Sequence, residues 1–150
     1  MNFSSKDGIL FSKDGTSLLA YPRGKHANTF DIPDGVTEIK KGAFFGCASI
    51  TAIDLPNSVT EIGGRAFQGC SNLTTIIIPN RVMKISRGTF SECTNLATAI
   101  FPNSRTLIEE GAFERCPNLT IVSNMSSSAE KYAKKNRIPY SVLKKVYAAR

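Results

Sequence analysis

The sequence predicts an α+β solenoid: stacked 23-residue coils, closed by a β-hairpin at the amino-terminal end and by a helix at the carboxy-terminal end. Three observations lead there. Pro recurs at 33, 56, 79 and 102, Phe at 44, 67, 90 and 113, and Cys at 47, 70, 93 and 116, every column stepping by 23 residues without insertion. A fixed period of this size marks a repeat architecture, in which no unit can bury its apolar face alone and stacking buries it instead. The units are flanked by non-repeating stretches that carry their own hairpin and helix signals, as the ends of an open array require.

Residues 1–32 form the first of these flanks. Ile9-Leu10-Phe11 and Leu18-Leu19-Ala20-Tyr21 read as two short strands around Lys13-Asp14-Gly15-Thr16, an Asp-Gly turn between apolar runs. Phe30 and Ile32 already sit at strand positions of a repeat, so the first coil begins near Thr29.

Residues 33–122 hold four repeats. In the second, Leu73-x-x-Ile76-x-Ile78 has the period of two of a strand with one buried face, and Pro79 ends it because it cannot donate to a ladder. Asn80 favours a turn, Val82 to Ile85 is a short extended piece, and Ala-Phe-x-Gly-Cys is long enough only for a single helical or 3₁₀ turn. Each Phe then stacks on the Phe of the next coil, at a spacing of roughly 4.8 Å. The fourth repeat departs from the pattern: Arg105 stands where Val is expected, with Leu107 as the apolar substitute. Arg65 stands in place of Gly42, Gly88 and Gly111, and Glu92 and Arg115 replace the Gly of Phe-x-Gly-Cys; a charged residue there in two coils suggests that this second position does not strictly need Gly.

Residues 123–150 end the array. Ser127-Ser128-Ala129-Glu130 matches a capping box for a helix over about 128–136, with Ala129, Tyr132 and Ala133 inward and Asn136 at a left-handed end. Tyr140-Ser141-Val142-Leu143 reads as a last strand and 144–150 as loose. The whole chain of 150 residues is expected to be a single domain.

The residues narrow the function by exclusion. His26 is the only His and lies in a loop without a neighbouring nucleophile, and no phosphate-binding glycine motif or paired carboxylates are present. A catalytic site, a cofactor and a metal are therefore not expected. The four Cys share one repeat position, so they read as a column of buried free thiols rather than as disulfides or a zinc set. Asn72-Leu73-Thr74 and Asn118-Leu119-Thr120 match a glycosylation pattern that repeat geometry already explains. No apolar run is long enough to span a membrane, and Met1 to Gly15 lacks the features of a secretory signal.

The net charge of +7 is local: seven of the 19 Lys and Arg fall in residues 131–150, where there is no acid, which leaves 12 of each sign in residues 1–130. Lys131, Lys134, Lys135, Arg137, Lys144 and Lys145 could meet an anionic polymer or membrane surface, or simply solvate the cap. Nucleic acid is not an expected partner. Along the strands the outward positions read Thr29, Asp31, Ala52, Asp54, Thr75, Ile77, Thr98, Ile100, Ile121 and Ser123. Asp54, Thr75, Ile77, Thr98, Ile100 and Ile121 form the candidate protein-binding face, because apolar residues across adjacent strands make a contiguous patch. The competing explanation is that β-branched residues favour strands even when exposed. The patch could face a ligand or a second copy of the chain.

Val36-Thr37-Glu38-Ile39, Gly42-Ala43-Phe44-Phe45-Gly46-Cys47 and their echoes through 30–122 resemble the BspA-type leucine-rich repeat family. The segment 7–22 resembles the hairpin that precedes such arrays, and Ser128-Ala129-Glu130-Lys131-Tyr132-Ala133 resembles their closing helix. The resemblance implies a right-handed leucine-rich-repeat solenoid and a non-catalytic protein-binding or adhesion role at a cell surface or in secreted form. The alternative is a structural spacer or a fragment of a larger surface protein with no ligand of its own, which the near-identical coils and the neutral body fit.

Overall fold

The computed structural model describes residues 3–143. Three short strands open the chain: β1 (Phe3–Lys6), β2 (Ile9–Ser12) and β3 (Ser17–Ala20). They form an antiparallel meander, one strand more than the sequence predicts, because Asp7 and Gly8 both take positive φ and turn β1 back onto β2. The Asp14 carboxylate organises the second turn. It accepts from the Ser12 hydroxyl (2.7 Å) and from the amide and hydroxyl of Thr16 (3.0 and 2.8 Å), which hold its pKa down to about 2.

The coils then follow, each with one longer and one shorter strand. These are β4 (Thr29–Asp31), β5 (Glu38–Ile39), β6 (Ala52–Asp54), β7 (Glu61–Ile62), β8 (Thr75–Ile77), β9 (Lys84–Ile85), β10 (Thr98–Phe101), β11 (Leu107–Ile108) and β12 (Thr120–Ser123). Helix α1 (Ser128–Lys135) and β13 (Tyr140–Val142) close the array. The longer strands make one parallel six-stranded sheet in the order β13-β12-β10-β8-β6-β4. The meander joins the shorter strands instead, in the order β1-β2-β3-β5-β7, and so covers the first coil from its other side. Between the strands the Ala-Phe-x-Gly-Cys segments are runs of turns closed by i to i+3 bonds, such as Cys47 N–H to Phe44 (3.1 Å) and Cys70 N–H to Phe67 (3.1 Å).

The core is a set of columns. Phe44, Phe67, Phe90 and Phe113 stack with centroids 5.0, 5.3 and 5.2 Å apart and planes within 10°. Tyr21 continues the column below Phe44, and Tyr132 of α1 meets Phe113 above it. Cys47, Cys70 and Cys93 are buried and Cys116 is half-buried, all four as free thiols. Each donates to a carbonyl of the preceding coil: Cys70 to Phe44 (3.2 Å), Cys93 to Phe67 (3.1 Å), Cys116 to Phe90 (3.0 Å), and Cys47 more weakly to Tyr21 (3.7 Å). Burial pushes their pKa up, to about 11 for Cys47 and Cys116 and about 12 for Cys70, and higher still for Cys93.

Three sequence expectations need correction. Arg65, Glu92 and Arg115 have φ of 58°, 60° and 60°, in the left-handed region of the glycines they replace, so the backbone does require that conformation. An L side chain costs about 1–2 kcal/mol there, of which the greater unfolded-state freedom of glycine would take back roughly 0.4–1 kcal/mol. Glu92→Gly and Arg115→Gly are thus each expected to raise the unfolding free energy by about 0.5–1 kcal/mol in urea titrations; a loss of stability would show that the charged side chains hold the turns. Second, Leu107 does not replace the missing Val: it is 60 % exposed, while Thr106 is buried and donates to the Val82 carbonyl (2.8 Å). The turn there starts one residue late, with Asn103 accepting from the Arg105 amide (2.9 Å) and from the Thr106 amide through its own carbonyl. Third, the left-handed residue after α1 is Arg137 (φ 56°), not Asn136, whose φ is −96°. The capping box itself forms, with the Ser127 hydroxyl accepting from the Glu130 amide (3.0 Å) and the Glu130 carboxylate accepting from the Ser126 amide.

Candidate functional site

The outward face of the six-stranded sheet is built by strand alternation, with one residue turned in between each outward pair. Thr29, Ala52, Thr75, Thr98 and Thr120 lie opposite one another in successive strands and form one row. The second row starts with Asp31 opposite Asp54 and continues with Ile77 opposite Ile100 and Ile100 opposite Val122. Asp54, Thr75 and Ile77 are exposed, Ile77 by 55 % of its surface, and Thr98 and Ile100 are half-buried. The strands therefore bring five of the six expected residues to one face, running from acidic to apolar.

Ile121 is the exception. It is completely buried and belongs to the core, and Ser123, expected beside it, is also buried and hydrogen-bonded to the Ser127 hydroxyl (2.6 Å). The outward residues of β12 are Thr120 and Val122. The reason is a one-residue deletion: Leu73-x-x-Ile76 and Leu96-x-x-Ala99 become Leu119-x-Ile121, so Ala99 pairs with Ile121 at a step of 22. That shortened spacing, read against the columns, would have located Val122.

The basic end is partly occupied. Lys134 pairs with Glu130 (2.7 Å) and Lys135 with Glu110 (2.7 Å), whereas Lys131 and Arg137 are exposed. Lys144 and Lys145 lie outside the described residues. Both glycosylation-pattern Asn side chains donate to the coil below, Asn72 to Ala48 (2.7 Å) and Asn118 to Thr94 (3.1 Å). Among the described residues no three His, Cys, Asp or Glu side chains come close enough to share a metal ion, and no helix is long and apolar enough to cross a membrane.

A family profile described as BspA type leucine rich repeat region matches residues 21–136 in six copies. The chain belongs to the BspA-type leucine-rich repeat family. Among solved structures, this chain is similar to a leucine rich cell surface protein from Faecalibacterium prausnitzii, at 26 % identity and a TM-score of 0.80, over 99 % of this chain and 42 % of that one. It also shares the fold of a leucine-rich repeat protein from Bacteroides ovatus (24 % identity, TM-score 0.65, 86 % of this chain and 40 % of that one). The pneumococcal vaccine antigen PcpA has the same fold at 20 % identity and a TM-score of 0.61, over 95 % of this chain and 48 % of that one. The BspA-type chain thus spans less than half the length of each of these neighbours. No curated protein matches the sequence.

Proposed function

We propose that this chain is a non-catalytic protein-binding or adhesion module of a cell-surface protein, and that its partner lies across the outward face of the six-stranded sheet. One observation carries the reading: Ile77, Ile100 and Val122 form a continuous apolar row on the outward face beside a row of small residues, mostly Thr. Water gains nothing from such a row, while a protein surface laid over it buries apolar area at roughly 25 cal/mol per Å². Asp31 and Asp54 at the other end of the row favour a partner with a basic edge there. The cell-surface placement rests on family membership and on the description of the Faecalibacterium neighbour.

The test is a double variant, Ile77→Lys with Ile100→Lys, against a panel of immobilised extracellular proteins. Binding to whatever the parent chain captures is expected to fall at least about tenfold, because two buried apolar contacts become two buried charges. The melting temperature should move by only a few degrees, since both side chains face outward. Unchanged binding would place the partner elsewhere.

A second reading has its own observation. Four closely similar coils and a body of zero net charge over residues 1–130 suit a structural spacer with no ligand of its own. On that reading the panel captures nothing.

A further inference from the structure

Between Thr29 and Ser123 three residues other than glycine hold a left-handed backbone, Arg65, Glu92 and Arg115. All three border one cleft of about 210 Å³, which runs over the turn segments of three successive repeats. Left-handed positions favour glycine, so a charged side chain there is kept against a backbone cost. Strain of this kind gathers at functional sites, and here it gathers around one cavity.

The rest of the lining is polar too. Arg87 and Ser91 come from the middle repeat, Gln68 from the one before it and Glu114 from the one after. No aliphatic or aromatic side chain lines the cleft. Two arginine stems cross to the next coil over a glycine. A Cβ on Gly88 would lie 3.0 Å from the Arg65 Cγ, and one on Gly111 would lie 3.4 Å from the Arg87 Cγ. Among the described residues, none of the three guanidiniums and neither carboxylate makes an ion pair. The Gln68 amide donates to the Glu92 carboxylate at 3.3 Å. Ser91 is only 6 % exposed, and its hydroxyl makes no hydrogen bond among the described residues. Buried hydroxyls ordinarily have a partner, so this one is available to a ligand.

We propose that the cleft binds a sugar acid, a single uronate ring carried by an acidic polysaccharide. The charges select it. Three guanidiniums and two carboxylates leave a net charge of one positive, which matches one ligand carboxylate. A phosphate or sulfate group would use the guanidiniums but face both glutamates. A uronate satisfies both signs: its carboxylate accepts from the Arg87 guanidinium, a fork that fits a carboxylate, and its ring hydroxyls donate to Glu92 and Glu114. The same hydroxyls accept from Arg65, Arg115 and the Ser91 hydroxyl. The cavity is smaller than the roughly 300–1,000 Å³ of drug-sized sites, so it takes one ring and not a folded ligand. It shares no residue with the outward face of the six-stranded sheet, and the two proposals stand or fall independently.

The probe is methyl β-D-glucuronide, titrated into the ¹⁵N-labelled full chain. Methyl β-D-glucoside, inorganic phosphate and L-aspartate are the comparisons. The glucuronide is expected to shift the amide resonances of residues 87–92 and 114–115 saturably at millimolar concentration, leaving residues 75–77 and 98–100 still. The glucoside has the same ring without the carboxylate and should bind at least about tenfold more weakly, as should an Arg87→Ala chain toward the glucuronide, each having lost one charge-assisted contact. Glu92→Gly relieves a strained turn, so it keeps the fold, and it should weaken the glucuronide about fivefold or more by removing a hydroxyl acceptor. Phosphate or aspartate binding as tightly as the glucuronide would make the cleft a general anion or amino-acid site and overturn the proposal. So would equal binding of the glucoside, unaltered affinity in either variant, or no saturable shift.

Discussion

Phe67→Ala is expected to lower the unfolding free energy by about 3–5 kcal/mol. Its ring lies between Phe44 at 5.0 Å and Phe90 at 5.3 Å, nearly parallel to both, and is 1 % exposed. Truncation removes the transfer free energy of a buried Phe and leaves a ring-sized void. The void cannot close easily. The coils on both sides are held at their spacing by ladders of backbone bonds, such as Phe44 N–H to Ala66 (2.7 Å) and Phe67 N–H to Thr89 (2.9 Å). A domain with a stability of about 5–15 kcal/mol would be left marginal. Guanidinium unfolding followed by circular dichroism measures the change. A loss below about 1 kcal/mol would mean that the column contributes little and that the strand ladders hold the array.

Gly63→Ala should be the most harmful of the glycine substitutions, at about 1–3 kcal/mol or more. Gly63 does not have the left-handed backbone found at other glycines, so its requirement is one of space. A Cβ there would sit 2.4 Å from the Lys41 amide nitrogen and 2.7 Å from its Cα. Those are backbone atoms of the neighbouring coil, and they cannot rotate away as a flexible side chain can. The adjacent Gly64 provides the control. Its nearest neighbour would be the Arg87 carbonyl oxygen at 3.5 Å, ordinary contact, so Gly64→Ala should be tolerated. Thermal melts of the two variants, one residue apart, separate crowding from a general cost of adding side chains. Equal effects would refute it.

The columns made the fold legible. Pro, Phe and Cys at a constant step of 23 place the turns, the stack and the thiols without any knowledge of pairing. The capping box at Ser127 and Glu130 likewise needs only local chemistry and is present as written. What failed were inferences about parity and about backbone conformation. Strand facing has a period of two, so the one-residue deletion between Leu119 and Ile121 turned every later side chain over and sent Ile121 inward. A charged residue at 92 or 115 looked like evidence against a left-handed turn, but the surrounding ladder over-determines the backbone there and imposes φ near 60°. β1 was missed because it is exposed along its whole length and carries no apolar alternation to detect.

The thiol column has a practical consequence. Four coils carry one sulfhydryl each at the same repeat position, buried at Cys47, Cys70 and Cys93 and half-buried at Cys116, each tied to the coil below and each with a pKa pushed far above neutrality. A thiol is silent toward alkylating reagents while its coil is closed, and becomes reactive when that coil opens and the sulfur can ionise in water. The molecule therefore contains its own four-mark ruler along the solenoid axis. Mass spectrometry of partially alkylated chains would record which mark reacts first, and so whether the array frays from the meander end, from the helix end, or in its middle.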